Sequence, residues 1–458
     1  MKNTVSVSGA GRAFRPAPLF LLAAMLAPAG LAAVPAPAAA QAYGDVSGAL
    51  RNTDIDSRDI RAFYEARGWR PLWVRSDGLA PEAFQLLELI DSADLDGVDP
   101  HRLRPGRLDS ALRRAEGGSP RDLARAEVAL SEAFANYIQA IRRPRAPELR
   151  YESEALAPVV PTKKAALEAA ASAPSLSQYF KTMGWMHPLY APLREALADP
   201  SVDPEREALL RLNLERVRAI PANPSNRYVL VDAASARLWM YENGRVKDTM
   251  RVVVGKPDQQ TPMMAGFIRH AITNPYWNVP PDLVATKIAP AVLKEGLGHL
   301  KVNRYEILSD WTENATVLSP SSIDWRAVAA GRRELRVRQL PGKTNSMGTA
   351  KFMFPNDLGI YLHDTPDKHL MKRADRQLSS GCVRLEDAAR FARWLYKKPL
   401  VAPSARPEQK VELAEPVPVY ITYLTALPEA GRIAYRTDVY RRDQAQLASL
   451  GGRFNGTR

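Results

Sequence analysis

Residues 227–254 read RYVLVDAASARLWMYENGRVKDTMRVVV, and this stretch sets the fold class of the second half of the chain. Short runs rich in β-branched and aromatic residues alternate with turn residues, and Asn243-Gly244 lies between two of the runs as a hairpin turn. Further strand-like runs follow at 268–273 and 359–363. We therefore predict a predominantly β domain over residues 225–426.

The half of the chain that precedes these strands has helical periodicity. Residues 83–90 (AFQLLELI) and 122–141 (DLARAEVALSEAFANYIQAI) place apolar residues at the spacing of amphipathic helices. Prolines bracket a further helix in the segment 199–224. We predict a helical domain at residues 43–198, a linker helix at 199–224, and an α+β fold class for the whole chain.

Two segments interrupt or follow the predicted β domain. Between about residues 284 and 338 the strand pattern gives way to a longer, partly helical stretch. Such an insertion is either a lid or binding loop over a site, or an extra packing subdomain. Residues 427–458 are expected to form a C-terminal tail with a short basic helix and no assigned chemistry.

The first 42 residues have the order of a secretory signal peptide. Three basic residues precede an apolar run at 19–27, and Ala40-Gln41-Ala42 provides a small-residue cleavage site. Neither this run nor any later segment reaches the ~18 apolar residues that a membrane-spanning helix needs. We expect cleavage after Ala42, export to the periplasm, and no transmembrane anchor in the mature chain.

The charge favours acidic partners. The formal net charge is +13, and +10 remains once the three basic residues of the predicted signal are removed. Anionic cell-wall polymer or a membrane surface suits this balance. Nucleic acid does not suit an exported chain, and the sequence has no zinc spacing, phosphate-binding glycine loop or RNA-binding aromatic motif. The histidines lack metal-ligand spacing, so no metal and no cofactor is expected.

One cysteine in the sequence lies in a pattern typical of a nucleophile. Cys382 follows Ser379-Ser380-Gly381 and comes 19 positions after His363. A thiol attacks as thiolate, and a nearby imidazole that accepts its proton makes it reactive. In an exported chain a lone cysteine forms no internal disulfide, which favours a reactive thiol over the alternative of a buried, inert one.

Several separated motifs resemble the YkuD-type L,D-transpeptidases. Residues 359–366 (GIYLHDTP) and 379–385 (SSGCVRL) resemble the catalytic signature of that family. The larger, YcbB-like branch has segments similar to 251–262 (RVVVGKPDQQTP), 274–280 (NPYWNVP) and 341–355 (PGKTNSMGTAKFMFP). The resemblance is strong from about residue 227 to residue 424. It is looser over the helical half, which is similar to the scaffold domain of that branch.

The chain departs from the family pattern in two places. It has no Asp-Gly-x-x-Gly-Pro-x-Thr segment, which marks the wall-binding repeat of many members of the branch. Docking to the wall would then rest on the scaffold and the insertion. Ser380 stands where numerous family members have a second histidine, which matches the YcbB-like branch and leaves His363 as the base of the motif.

The resemblance implies a cysteine acyltransferase acting on peptidoglycan stem peptides. Cys382, activated by His363, would release the terminal D-alanine of a tetrapeptide stem and form a thioester, and an amine of a second stem would complete a 3→3 cross-link. Carbapenems should acylate the same thiol, and other cell-wall synthesis proteins are possible partners. Water, a free D-amino acid or a lysine of an outer-membrane protein remain alternative acceptors. A noncatalytic wall-binding module is the other class.

Backbone and side-chain groups near the two motifs are candidates for oxyanion binding. The N–H groups of Gly381 and Cys382 are the expected donors. Tyr361 lies on the strand face of His363, because side chains alternate with period two, and either donates to the oxyanion or only packs. Asp364 faces the opposite way, so we expect backbone or loop contacts to orient His363.

Substrate binding is assigned to a further set of residues. Arg384 either pairs with a stem carboxylate or forms an ordinary ion pair. Tyr276 and Trp277 either line the acyl-donor cleft or pack, and Asn345 with Gly348 either shapes a substrate loop or serves turn chemistry. Ser380, two positions before the cysteine, is also assigned to substrate binding.

Overall fold

The computed structural model describes residues 38–75, 78–143, 145 and 148–454, with side chains from residue 45 to residue 449 within these ranges. The signal peptide predicted for residues 1–42 falls almost entirely outside them. No helix in the described ranges is both long and apolar enough to span a membrane.

The N-terminal half consists mainly of α-helices, as its periodicity predicts. In chain order they are α1 (Ala38–Arg51), α2 (Arg58–Ala66), α3 (Pro81–Asp91), α4 (Pro100–Leu103), α5 (Pro105–Ala115), α6 (Pro120–Ile141), α7 (Lys163–Ser172), α8 (Leu176–Lys181), α9 (Tyr190–Leu197) and α10 (Pro204–Arg218). Short strands lie among them: β1 (Val74–Arg75), β2 (Gly78–Leu79) and β3 (Arg150–Tyr151). Single 3-10 turns occur at Ala93–Asp96 and Glu154–Leu156.

Helix caps fix where the helices of this domain begin, and aromatic packing holds them together. Ser119 and Asp203 accept N–H groups at the starts of α6 and α10, and each is followed by a proline in the first turn. Helix α6 is the central helix, with Phe134 edge-on to Trp73 at 5.5 Å and to Trp185 at 5.6 Å between ring centroids. Burial of these large side chains supplies most of the stabilisation available to a helical domain.

From residue 227 the chain forms the strands that the alternating pattern predicts. They are β4 (Arg227–Asp232), β5 (Arg237–Glu242), β6 (Arg245–Gly255), β7 (Met264–Thr273), β8 (Trp277–Val279), β9 (Tyr305–Leu308), β10 (Val317–Leu318), β11 (Arg336–Gln339), β12 (Ala350–Met353), β13 (Leu362–His363), β14 (Gln377–Ser379), β15 (Val383–Leu385) and β16 (Gln409–Thr422). The helices of this half are α11 (Pro281–Leu283), α12 (Ala289–Glu295), α13 (Gly298–Val302), α14 (Trp325–Ala329) and α15 (Ala388–Tyr396). A π-helical turn lies at Val284–Ile288, and 3-10 turns lie at Pro320–Ser322 and Lys368–Lys372.

The main sheet closes on itself. Its strand order is β12-β13-β15-β6-β5-β4-β16-β7, and β7 pairs again with β12, while β3 and β14 add to β7 and β6. Asn243 and Gly244, with φ of 50° and 72°, make the predicted hairpin turn between β5 and β6. The apolar side chains of the closed sheet form one buried cluster that includes Val252, Phe352, Leu362, Val383 and Ile421.

Residues 277–339 form a second sheet with its own core. Its strand order is β10-β9-β11-β8, and α11 to α14 pack with it around Val284, Ile307 and Val337. The insertion predicted at about 284–338 is present but begins earlier, because β8 pairs with β11. It leaves the main sheet after β7 and returns before β12. Those two strands are antiparallel neighbours, so the insertion joins the main sheet at one place, beside β13.

The described part of the predicted C-terminal tail forms a hairpin followed by the expected short helix, and both pack on the helical half. Strands β17 (Ala426–Glu429) and β18 (Arg432–Tyr435) make a hairpin, and α16 (Arg442–Phe454) packs against α10. Leu424 and Leu427 belong to the core of the helical domain. After β16 the chain therefore leaves the β half and returns to pack on the helical half. The basic composition of this segment did not predict that return.

Candidate active site

Cys382 lies on a tight turn between β14 and β15. The turn is closed by Ser379, whose Oγ accepts the Gly381 N–H at 3.2 Å and donates to the Cys382 carbonyl at 2.6 Å. Gly381 has φ of 109°, and a Cβ there would lie 3.2 Å from the Ile360 side chain. Only glycine takes this conformation without strain. The turn presents a half-buried thiol whose Sγ lies 3.6 Å from the Gly359 carbonyl oxygen.

His363 ends the strand next to the cysteine turn. Strand β13 runs parallel to β15, with Leu362 opposite Val383 and His363 opposite Arg384. The imidazole is buried, with 1% exposure, and its Nδ1 lies 2.5 Å from the backbone carbonyl of Asp364. A carbonyl only accepts, so Nδ1 carries the proton and Nε2 is the basic nitrogen of the neutral ring.

Both reacting groups are neutral in the resting site. Burial, followed by the nearby charge of Arg384, lowers the pKa of His363 to about 3. Burial also raises the pKa of the Cys382 thiol, although hydrogen bonding from Tyr361 and the charge of Arg384 act in the opposite direction. These shifts favour a neutral thiol at Cys382 and a neutral imidazole at His363 over a preformed ion pair.

The side chain of Asp364 acts as a clamp that holds its own carbonyl in place. Its Oδ2 accepts the N–H and Oγ1–H of Thr349, both at 2.9 Å, and its Oδ1 accepts from Lys368 at 2.6 Å. Gly348 leaves room for this carboxylate, since a Cβ there would lie 2.4 Å from Oδ2. Burial raises the pKa of Asp364, but these hydrogen bonds outweigh it and hold the pKa low. Backbone orientation of His363 was the sequence expectation, and the geometry agrees with it.

Tyr361 contacts both reacting residues. Its ring is edge-on to His363, with 5.8 Å between centroids, so the two side chains share a face as the alternation predicts. Burial is the main cause that raises the pKa of Tyr361, and a thiolate at Cys382 would raise it further, so Tyr361 stays a proton donor. Tyr361 therefore lies next to both candidate residues, and its role as an oxyanion donor stays a prediction.

The expected pair of oxyanion donors is reduced to one. The Gly381 N–H is already bound to Ser379 Oγ, so Gly381 does not serve as a free donor. The Cys382 N–H has no acceptor among the described residues. This corrects the assignment of Gly381, whose contribution is its backbone conformation.

Arg384 is close to the reacting groups and only partly paired. One nitrogen lies 3.4 Å from Asp367 Oδ2, and Nε is buried without a hydrogen-bond partner among the described residues. Its charge acts on both His363 and Cys382. The long contact with Asp367 accounts for part of the guanidinium only. Ser380, beside the thiol, is exposed.

The aromatic candidates lie at the base of the insertion. The Tyr276 N–H donates to Glu408 at 2.6 Å, and the Arg338 guanidinium lies 4.3 Å from the ring centroid of Tyr276. Trp277 packs on the insertion core, tilted against Tyr305 at 6.4 Å. Both are half-buried and join the two sheets, and the structure does not bring them into contact with Cys382.

Asn345 is a structural residue of its loop. It is fully buried, and Nδ2 donates to the carbonyls of Pro275, Gln339 and Leu340 at 3.0–3.1 Å, while Oδ1 accepts the Met347 N–H at 2.7 Å. No polar group of this side chain is left for a ligand. The assignment of Asn345 to substrate binding is therefore wrong, and its loop chemistry is the correct alternative.

The sequence reasoning missed residues that act through the backbone. Ser379, Thr349 and Lys368 hold the cysteine turn and the histidine carbonyl, and Thr261 donates to the Gly381 carbonyl at 2.7 Å. Ser379 and Thr261 lie inside the motifs quoted from the sequence, so their small hydroxyl side chains could have been predicted to hold the backbone there. No sequence pattern predicts the role of Lys368, because its contact with Asp364 is set by the turn after β13.

Two cavities lie beside the site, not over the thiol. One of about 780 Å³ is lined by Arg251, Asp364 and Lys368 among others, and a second of about 220 Å³ is lined by Asn274 and Thr349 among others. Both reach the Asp364 clamp from its outer side. Among the described residues, no group of three or more His, Cys, Asp or Glu side chains could hold a metal ion.

Comparison with known proteins gives the class of this site. The L,D-transpeptidase catalytic domain of the YkuD family matches residues 226–419, and the Scaffold domain matches residues 58–197. The two matches coincide with the β half and the helical half described above. Residues 226–419 therefore form a YkuD-type L,D-transpeptidase catalytic domain, with a Scaffold domain ahead of it at residues 58–197.

Individual relatives share parts of the chain. A Haemophilus influenzae protein described as "Putative L,D-transpeptidase" is 31% identical over 249 residues, or 53% of this chain and 49% of the relative. The chain thus spans about half the length of the curated relative it matches.

Solved structures with some similarity include an L,D-transpeptidase from Mycobacterium smegmatis (12% identity, 43% of this chain, 58% of that chain, TM-score 0.22). Another is L,D-transpeptidase 3 from Mycobacterium tuberculosis in complex with a faropenem-derived adduct (12% identity, 43% of this chain, 60% of that chain, TM-score 0.22). At these TM-scores the superpositions add nothing to the family match.

Proposed function

We propose that this protein is an exported L,D-transpeptidase that forms 3→3 cross-links between peptidoglycan stems through a thioester on Cys382. The observation that carries the proposal is the placement of His363 at the end of β13 and of Cys382 in the turn directly before β15, the parallel neighbour of β13, with Nδ1 of the imidazole held by a carbonyl and Nε2 left basic. The family match supports acyl transfer as the reaction class and stem peptides as the substrate class.

In the first step, Sγ of Cys382 attacks the carbonyl carbon between the diamino acid and the terminal D-alanine. His363 Nε2 takes the thiol proton, and the oxyanion is bound by the Cys382 N–H and the Tyr361 hydroxyl. The C–N bond then breaks, His363 returns the proton to the leaving amine, and D-alanine departs. Because burial keeps the His363 imidazole neutral at rest, Nε2 is free to accept the proton, and the imidazolium then returns it to the leaving amine.

In the second step, the side-chain amine of a second stem attacks the thioester. His363 accepts the proton of that amine, the new amide bond forms, and the sulfur leaves and is reprotonated. Arg384 would pair with a carboxylate of a bound stem, and its unpartnered Nε and single long contact to Asp367 support this assignment. Ser380, exposed beside the thiol, is the other side chain placed to meet the donor stem.

The insertion is proposed to cover the bound stems. It joins the main sheet beside β13, and Tyr276 and Trp277 lie at its base. Its separate core lets it move as a unit without exposing the core of the main sheet. The acceptor stem would enter between the insertion and the cysteine turn.

Other acceptors give related activities from the same thioester. Water would make the protein an L,D-carboxypeptidase, a free D-amino acid would make it an exchange enzyme, and a protein lysine would attach an outer-membrane protein to the wall. Cross-linking is favoured here because the insertion, which joins the main sheet beside β13, would supply a second wall for a second stem. A noncatalytic wall-binding role does not explain why a buried imidazole with its Nδ1 held by a carbonyl ends the strand next to the turn that carries the thiol.

The test is incubation of the mature chain with purified disaccharide-tetrapeptide, followed by intact-protein and product mass spectrometry. A Cys382-dependent dimer that lacks one D-alanine supports the proposal, and tripeptide alone indicates hydrolysis. Cys382→Ala and His363→Gln should make no product. His369→Gln is the matched control, because His369 is exposed on the following 3-10 turn. Absence of any adduct with the wild type would refute the proposal.

Export is a separate part of the proposal. It rests on the order of basic, apolar and small residues in the first 42 positions. Mass spectrometry of the protein recovered from the periplasm of an expressing cell should show a chain that begins at Tyr43. Recovery of only the full-length chain from the cytoplasm would contradict export.

A further inference from the structure

The Cys382 N–H, the remaining candidate oxyanion donor, is oriented by a residue outside the two motifs at 359–366 and 379–385. The Cys382 N–H and the Gly381 carbonyl belong to one peptide unit, and that carbonyl accepts from Thr261 Oγ1 at 2.7 Å. A trans peptide unit is planar, so its C=O and N–H point in opposite directions. The bond to Thr261 therefore fixes where the Cys382 N–H points. It also restricts the rotation that glycine at position 381 would otherwise allow.

Thr261 is itself held by the C-terminal part of the chain. Its Oγ1 accepts the Gly255 N–H at 2.8 Å, and the Gly255 carbonyl accepts from the Tyr440 hydroxyl at 2.5 Å. The Thr261 N–H donates to the same hydroxyl at 3.4 Å. Tyr440 is 3% exposed, so water does not replace these contacts. The loop from Gly255 to Thr261 is thus closed by one tyrosine.

Arg442 completes the contact. Its Nε donates to the Gln260 side chain at 2.9 Å, and its Nη2 donates to the Thr261 carbonyl at 3.1 Å. The Tyr440 ring stacks on Tyr423 at 4.9 Å with 9° between planes, and Arg442 lies 5.0 Å from the Tyr440 centroid. These contacts come from residues 438–442, which follow the end of the YkuD match at residue 419.

We infer that Thr261, braced by Tyr440 and Arg442, is a positioning residue that aims the Cys382 N–H at the oxyanion. The inference rests on the proposed function for its catalytic meaning. It assigns a role in the catalytic site to the C-terminal segment, and it explains why this segment crosses back onto the loop behind the cysteine turn. Thr261 touches no reacting atom and acts through the Gly381–Cys382 peptide unit.

The test compares two reactions of the same thiol. A carbapenem is opened when Sγ bonds to the lactam carbonyl carbon, the C–N bond breaks and the thiol proton passes to the nitrogen, and this path includes an oxyanion. Iodoacetamide forms a thioether with release of iodide and includes none. Rates of both are measured by intact mass for the wild type, Thr261→Val, Thr261→Ser and Tyr440→Phe. Gln444→Ala, exposed on α16, is the control.

We expect Thr261→Val and Tyr440→Phe to slow carbapenem acylation roughly 10-fold to 100-fold, somewhat less than outright loss of an oxyanion donor. Alkylation by iodoacetamide should keep the wild-type rate, Thr261→Ser should restore acylation, and Gln444→Ala should match the wild type. Thermal unfolding of each variant separates folded from unfolded protein, and Tyr440→Phe keeps the core volume if Thr261→Val unfolds.

Three results would overturn the inference: wild-type acylation by Thr261→Val and Tyr440→Phe, an equal fall of acylation and alkylation, or no recovery in Thr261→Ser. Product formation from disaccharide-tetrapeptide is measured on the wild type alongside. Wild-type protein that reacts with the carbapenem yet makes no muropeptide product refutes the proposed function, while the comparison of variants still decides the role of Thr261.

Discussion

At the scale of single residues, one backbone carbonyl decides which nitrogen of His363 takes part in the chemistry. The Asp364 carbonyl binds Nδ1 at 2.5 Å, and burial keeps the ring neutral. Neutral imidazole beside a neutral thiol differs from a preformed ion pair, in which His363 would carry a charge at rest. The difference has a measurable consequence in the pH dependence.

Acylation of Cys382 by a carbapenem should show no acid-side inflection near pH ~6.5, the ordinary pKa of histidine. The pKa of His363 is lowered to about 3, so the base stays deprotonated and active as the pH falls toward that value. Acylation rates across the mildly acidic range test this. An acid limb centred on the ordinary histidine pKa would contradict it. His363→Gln should lower the rate about 10²-fold to 10⁴-fold throughout.

His187 should make the protein sensitive to acid. It is fully buried against Tyr228, with Nε2 2.9 Å from the hydroxyl, and burial lowers the pKa of His187 to about 3. Below the ordinary histidine pKa the unfolded chain binds a proton that the native state refuses. This removes about 1.4 kcal/mol of stability per pH unit until the folded pKa is reached.

The measurement for His187 is the free energy of unfolding of the wild type and His187→Gln from urea titrations at several pH values below neutrality. As the pH falls, the free energy of unfolding of His187→Gln should rise relative to that of the wild type by about 1.4 kcal/mol per pH unit. Two other buried groups also titrate in this range: His363, and Glu127, for which burial raises the pKa to about 7. Both are present in the wild type and in the variant, so their contributions cancel in the difference. A difference that does not change with pH would show that His187 is protonated equally in both states.

At the scale of elements, the 3-10 turn Lys368–Lys372 connects strand β13, which precedes it, to strand β15 through the side chain of Lys368. Lys368 binds Asp364 Oδ1 and also donates to the carbonyls of Leu385 and Glu386 at 3.1 and 2.9 Å. It therefore joins the end of β13, which carries His363, to the end of β15, which follows Cys382. We therefore expect this bridge to help hold His363 in place relative to Cys382.

Lys368→Met should lower the carbapenem acylation rate of Cys382 roughly tenfold, because small displacements of a base from its reacting group are costly. Lys372→Met is the matched control, since Lys372 is exposed at the end of the same turn. Lys368→Arg should recover part of the rate through the same carbonyls. Equal rates in Lys368→Met and Lys372→Met would show that the bridge does not position His363.

At the scale of the whole molecule, α16 joins the two halves of the chain. Arg216 of α10 lies 2.7 Å from Asp443 and 2.8 Å from Gln446, and all three are buried. Helix α16 begins at Arg442, two residues after Tyr440, which closes the loop behind the cysteine turn. The helical half and the catalytic turn are therefore linked through one short segment.

Arg216→Met should lower the free energy of unfolding by about 3–5 kcal/mol, because it leaves the Asp443 carboxylate buried without a partner. Arg216→Met with Asp443→Asn should recover much of this loss. Lys164→Met, which breaks an exposed pair with Glu168, should change stability by about 1 kcal/mol or less. Urea unfolding of the four proteins tests the comparison, and a loss for Arg216→Met no larger than that for Lys164→Met would contradict it.

Local patterns were sufficient to predict much of this architecture. The hairpin at Asn243-Gly244, the amphipathic helix α6 and the family of the catalytic motifs depend on neighbouring residues, so they are legible from the chain. Asn345 and Gly381 were misassigned for the opposite reason. Their polar groups are taken up by Gln339, Pro275 and Ser379, and hydrogen-bond saturation is visible only once those partners are in place.

The amino-acid sequence by itself determined the order of helices and strands and indicated Cys382 and His363 as the candidate nucleophile and base, because periodicity, turn chemistry and motif spacing are properties of short segments. Only the tertiary structure decided that the sheet closes through β7 and β12 and that the insertion joins beside His363. It also decided that residues 438–442 brace Thr261 behind Cys382. These are contacts between segments up to about 180 residues apart. They are set by which surfaces remain to be buried after each element has formed.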